Sequence, residues 1–149
     1  VMTRRRTLEK TILFLGIDQS CSGQMAEAIA KRLAPPDTTI FSAALVPREV
    51  PPAAVEVMME VEVEMPTENA KGLDAVPMDH IDLVVALGEA QGSLPAIPAT
   101  ARLVHWPIPD ARRVASSEAP LRSMFRFLRD EIDRDVAALF LDHWRNQTH

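Results

Sequence analysis

The chain has a single cysteine, Cys21, no tyrosine and only five glycines among 149 residues. One thiol cannot close an internal disulfide, which agrees with a reducing compartment. His80, His105, His143 and His149 show no metal-ligand spacing among themselves or with Cys21, so neither a metal nor a cofactor is expected. Positive charge is also in deficit. Lys and Arg number 16 against 21 Asp and Glu, a net charge of −5, and this argues against nucleic acid as a partner, because phosphate contacts need clustered basic groups. No apolar run has the length needed to span a bilayer, and no signal-peptide core follows the first residues. A cytoplasmic protein without a membrane partner is therefore expected. The one basic cluster, Arg4-Arg5-Arg6, reads as a solvated N-terminal arm within residues 1–10, and Val1 ahead of Met2 reads as a remnant before the natural start.

The hydrophobic content, 47%, suits one globular domain over residues 11–149, a length that buries about 70% of the unfolded surface. Thr11 to Leu15, Thr39 to Ser42, Ile81 to Leu87 and Arg102 to Trp106 are short apolar runs without strict alternation. Such runs predict strands covered on both faces, hence a parallel sheet. Helical spacing fills the intervals: Met25, Ala28, Ile29 and Leu33 within Gln24 to Leu33, then Ala53 to Met59 behind Pro51-Pro52. The longest pattern runs from about Glu118 to Trp144, with Leu121, Met124, Phe125, Leu128, Ile132, Val136, Leu139 and Phe140 recurring at three and four and Ser117 as N-cap. Val57, Met58, Met59, Val61, Val63 and Met65 read as core, and the interleaved Glu60, Glu62 and Glu64 as a solvated face. Trp106 and Trp144 are expected to pack at the sheet edge and at the end of the last helix. The predicted fold is α/β: a right-handed four-stranded parallel sheet with helices on both faces, and any ligand site at the carboxyl edge of the strands.

Residues 11 to 29, TILFLGIDQSCSGQMAEAI, place a polar loop between the first strand and the first helix. Loop N–H groups and a helix N-terminus make such a turn a ready oxyanion cradle. Yet no Lys or Arg lies between Gly16 and Gln24, and Asp18 brings a negative charge. If that carboxylate stood about 4 Å from an anion, repulsion of order 4 kcal/mol at an effective dielectric near 20 would exceed the ~1 kcal/mol offered by the helix. Weak or absent phosphate binding is expected, with Asp18, Ser20, Ser22 or an ordered water satisfying the inward N–H groups instead.

LFLGIDQSCSGQMAE resembles the active-site segment of the low-molecular-weight protein tyrosine phosphatases and the related thioredoxin-coupled arsenate reductases. Ser42-Ala43, the segment from Pro51 to Met65, IDLVVALGEA from Ile81 and RLVHWPIPDA from Arg102 are similar to successive family segments in the same order. The resemblance implies a three-layer Rossmann-type fold. It also implies a thiolate attack on phosphorus, an Arg holding the phosphoryl oxygens and an Asp protonating the leaving group. Aligned on Ser20-Cys21 and Gln24-Met25-Ala26-Glu27, the nucleophilic Cys falls on Gly16 and the Arg on Ser22, while the loop Gly and Asn fall on Asp18 and Gln19. Asp110 matches the general acid, followed by Ala111 where the family usually has Pro. The reductase branch's further redox cysteines fall near Gly88 and Leu94, so a thiol relay is excluded by composition.

Gly16 has no side chain to form a covalent intermediate, and Ser22 cannot reproduce the two-pronged hydrogen bonding of a guanidinium. Cys21 reads as a small buried loop residue, His105 as a packed histidine, and Asp110 as a capping or loop residue. The candidate loop and binding residues are Asp18, Gln19, Ser20, Cys21, Ser22 and Asp110. The function this predicts is a catalytically inactive phosphatase-like domain, a binding or regulatory module for a protein partner. The alternative is an enzyme with residual or displaced phosphatase or hydrolase chemistry on the same scaffold.

Overall fold

In the computed structural model, which describes residues 10–18, 21–65, 71–89, 94–111 and 118–147, four strands form one parallel sheet of order β2-β1-β3-β4. They are β1 (Thr11–Gly16), β2 (Thr39–Ala44), β3 (Leu83–Leu87) and β4 (Arg102–Trp106). The two central strands are the apolar ones: all of β3 and all of β1 except Thr11 are buried. Ile12, Phe14, Leu83, Val85 and Leu87 turn to one face; Leu13, Leu15, Val84 and Ala86 turn to the other. Burying one such side chain contributes about 1.5–3 kcal/mol, and because successive residues face opposite ways each central strand drives both layers.

The first face is covered by α1 (Ser22–Leu33), α2 (Pro52–Met59) and α3 (Glu118–Gln147). Helix α1 buries Met25, Ala26, Ile29 and Ala30, and places Lys31 and Arg32 in its last turn, where a cation complements the helix dipole. A Cβ on Gly23 would lie 3.0 Å from Gly16 N and 3.2 Å from Phe14 O. The absence of a side chain there lets the helix start hard against the end of β1. Helix α3 docks through Phe125, Leu128, Ile132, Val136 and Phe140, the face its spacing predicts. Its proposed cap Ser117 and the side chain of Trp144 lie outside the described residues.

The second face carries shorter cover. Two 3-10 turns, Leu73–Ala75 and Met78–His80, and the segment holding Leu94 and Ile97 close over Leu13, Leu15, Val84 and Ala86. The carboxyl edge is left to the loops between these layers.

The valine and methionine run divides where the chain turns. Val57, Met58, Val63 and Met65 are buried, but Met59 is 53% exposed and Val61 lies on the surface. Helix α2 ends at Met59, and Glu62, with a φ of 61°, turns the chain in the left-handed region beyond it, so not all six residues reach the core. Among the described residues no helix is long and apolar enough to cross a membrane.

Helices α2 and α3 are also joined by charge. Glu60 accepts from Arg126 Nε and Nη2 at 2.9 and 2.8 Å and from Arg129 Nη1 at 2.9 Å, and Arg129 Nη1 donates to Val57 O at 2.7 Å. Hydrogen bonds from Arg126 first, then from Arg129, lower the Glu60 carboxyl to about 2. A folded-state value below the ordinary one of 4.5 means stability fully present above the ordinary value and lost as pH falls toward the lowered one. Glu60→Gln should therefore be less stable than the parent at neutral pH and indistinguishable from it near pH 2. Urea titrations at several pH values check this, and because the cluster is exposed the gap should shrink in high salt. An equal gap at every pH would show that the carboxylate charge is not what joins the helices.

Candidate functional site

Three backbone bonds set the frame at the carboxyl edge. Leu45 N–H donates to Gly16 O at 3.0 Å, Ile17 N–H to Leu87 O at 3.0 Å, and Gly88 N–H to Trp106 O at 3.1 Å. They tie the ends of all four strands together, so the loops after β1, β2, β3 and β4 leave from one rim. In a doubly wound sheet that rim is where a ligand crevice opens.

Gly16 is the last residue of β1, in register with Ala44 on β2 and Leu87 on β3. Ser22 opens α1 and is 1% exposed. Cys21 is the N-cap of that helix without a side-chain cap bond; its carbonyl accepts the first helical bond, from Met25 N–H, at 3.0 Å. The thiol is buried among the apolar residues of the first core layer, as the small-residue reading expects. Gln19 and Ser20 lie outside the described residues.

Asp18 departs from what its sequence position suggests. It is buried, and its Oδ2 accepts from Glu89 N–H at 3.1 Å, a partner 71 residues away just past β3. Gly88 makes this possible: its φ is 125°, and a Cβ there would lie 2.6 Å from Asp18 Oδ2. The glycine that stands near a redox-cysteine position of the resemblance thus seats a carboxylate. The left-handed φ of Gly88 is a backbone property that no residue spacing announces.

His105 holds the same turn from the other side, with Nε2 donating to Gly88 O at 2.8 Å. That bond agrees with the reading of His105 as a packed histidine, its Nε2 engaged by a carbonyl. Trp106 packs on Phe14 with ring centroids 6.1 Å apart, as expected of a sheet-edge tryptophan. Asp110 is buried between Ile108 and Ala111, both in the core layer, at the start of the connection after β4. Among the described residues no group of three or more His, Cys, Asp or Glu could hold a metal ion. The groove lined by Ile29, Leu33, Val61, Arg129 and Asp133 contains none of the expected site residues.

Residues 11–147 match the family model described as low molecular weight phosphotyrosine protein phosphatase. The chain belongs to this family. An arsenate reductase of Halalkalibacterium halodurans is 31% identical over 129 residues, 86% of this chain and 93% of the relative. Arsenate reductase 1 of a Bacillus cereus strain is 35% identical over 125 residues, 83% of this chain and 89% of the relative. A solved structure described as an arsenate reductase in the phosphate binding state superposes with a TM-score of 0.73 at 24% identity, covering 89% of this chain and 98% of that one, and so shares the fold.

These relatives correct the functional expectation drawn from the loop. A catalytically inactive binding or regulatory module was expected because Gly16 and Ser22 lack the family's reactive groups. The relatives that align over most of this phosphatase-family chain are named for an enzymatic activity instead, and nothing in the described geometry shows inactivity.

Proposed function

We propose that the protein is an enzyme with displaced hydrolase chemistry on the low-molecular-weight phosphatase scaffold, acting on ester substrates at the carboxyl edge of the sheet. The observation that carries this reading is the burial of two carboxylates, Asp18 and Asp110, in the segments that follow β1 and β4 at the carboxyl edge. In an open parallel sheet the loops at the carboxyl ends of the strands are where ligands bind.

With no side chain at Gly16, water takes the role of nucleophile. Its oxygen bonds to the ester's phosphorus or carbonyl carbon, and the bond to the leaving oxygen breaks. Asp110 gives the leaving oxygen a proton and regains one from the attacking water, so the sum is ester plus water to acid plus alcohol. The N-terminus of α1 supplies a positive dipole end for the charge that develops on the central group. The chain's one thiol supports no three-cysteine relay, and arsenate reduction by that route is not part of the proposal.

Activated aryl esters and aryl phosphates should be turned over above the buffer rate. Asp110→Asn should lower kcat about 10²-fold, the usual contribution of a positioned acid, with circular dichroism unchanged. A kcat unaffected by Asp110→Asn, or no turnover of any such ester, overturns the proposal.

A further inference from the structure

Helix α3 buries Phe125, Leu128, Ile132, Val136 and Phe140 in the first core layer. Its outer side is not purely polar. Phe127 is 52% exposed and Leu141 49%, and Ala138, exposed as well, lies on the same side between them. Met124, Phe127, Glu131, Arg134, Ala138 and Leu141 follow one another at alternating spacings of three and four, which are the a and d positions of a heptad. A lone exposed apolar residue needs no explanation, but a heptad stripe with charges at its centre is a surface shaped for another helix.

We propose that this outer face of α3 is the contact between two copies of the chain, packed antiparallel about a two-fold axis that passes between Ile132 and Asp133. In that arrangement each contact is made twice. Met124 meets the second copy's Leu141, Phe127 meets its Ala138 and Glu131 meets its Arg134. A large side chain thus lies over a small one, as knobs-into-holes packing requires. Arg134 already pairs with Glu131 of its own helix, and the second copy brings the same pair alongside in reverse order, so the four charges alternate in sign. A parallel arrangement would set Glu131 on Glu131 and Arg134 on Arg134, and like-charge repulsion opposes it. Of the carboxylates beside the stripe, Asp130 is held by Arg129 Nε at 2.9 Å and Asp135 is half-buried. One helix from each copy makes a contact at the low end of specific interfaces, so the dimer should have a Kd of order 10–100 μM.

Sedimentation velocity of the full chain from about 5 to 500 μM, a range that brackets this affinity, should show a monomer–dimer equilibrium. Phe127→Ser and Leu141→Ser should each weaken it at least about 10-fold without lowering the melting temperature, because both side chains face solvent in the monomer. Glu131→Arg and Arg134→Glu should each weaken it by a similar factor, since either one sets like charges against each other on both sides of the axis. Glu131→Arg combined with Arg134→Glu exchanges the two charges and should return the Kd to within about 3-fold of the parent. Three of the four single variants suffice if one does not fold. A monomer throughout the range, a Kd indifferent to the serine substitutions, or charge reversals that have no effect or are not rescued by the exchange overturns the assignment.

Discussion

Gly16→Cys combined with Ser22→Arg is expected to raise aryl phosphate turnover at least about 10³-fold, through a covalent phosphoenzyme that the parent cannot form. Gly16 ends β1 in register with Leu87 and Ala44, and its φ lies outside the left-handed region. A cysteine can therefore take the same backbone and present its sulfur at the rim. Ser22 opens α1, so an arginine there starts at the helix N-terminus and offers a phosphoryl oxygen pair the forked geometry lysine lacks.

Neither substitution should achieve much alone. A thiolate without a clamp has no held substrate, and a clamp without a nucleophile gives affinity without the covalent step, so the effects should be strongly non-additive. Adding Asp18→Asn should increase the gain, because the carboxylate both repels the dianion and can pair with the new guanidinium. The measurements are kcat/KM, a stoichiometric burst, and trapping of phosphocysteine at position 16. A triple variant that keeps its circular dichroism and melting temperature but shows no burst would mean that the loop backbone no longer has the cradle shape.

How far the sequence could be read depends on whether a property is local. Strand β4 lies at Arg102–Trp106, as predicted, because Pro107 and Pro109 punctuate its end and a short apolar run precedes them. Helix α3 was equally legible, its buried residues recurring at three and four over several turns. The Val57 to Met65 run was not, since the pattern shows apolar residues but not the left-handed turn at Glu62 that sends Val61 outward. The junction of Glu60 with Arg126 and Arg129 spans 66 and 69 residues, a separation at which surface charges give no pairing signal. The rim followed the same rule. Its location at the loop after β1 could be read from LFLGIDQSCSGQMAE, but the partner of Asp18 could not, because Glu89 N–H is a main-chain donor with no side-chain signature.

The clasp between those two loops gives the second large effect. Gly88→Ala is expected to destabilise the protein by about 3–5 kcal/mol, two contributions acting at one residue. A φ of 125° is costly for any residue with a Cβ, of order 1–3 kcal/mol. The methyl would also lie 2.6 to 2.9 Å from three atoms of the Asp18 carboxylate. That buried group must move or give up Glu89 N–H, and such overpacking costs about 1–3 kcal/mol more. The second contribution depends on Asp18 and the first does not, so the two separate in a double-mutant cycle. Asp18→Gly should cost about 1–2 kcal/mol alone through the lost bond to a partly buried N–H. Combined with Gly88→Ala, it should remove the clash and leave the backbone strain, so the double variant should be more stable than the sum of the single effects by about 1–3 kcal/mol. Urea denaturation of the four proteins measures this coupling. Additive losses would mean that Gly88 is required for its backbone alone and that the carboxylate of Asp18 is not what it accommodates.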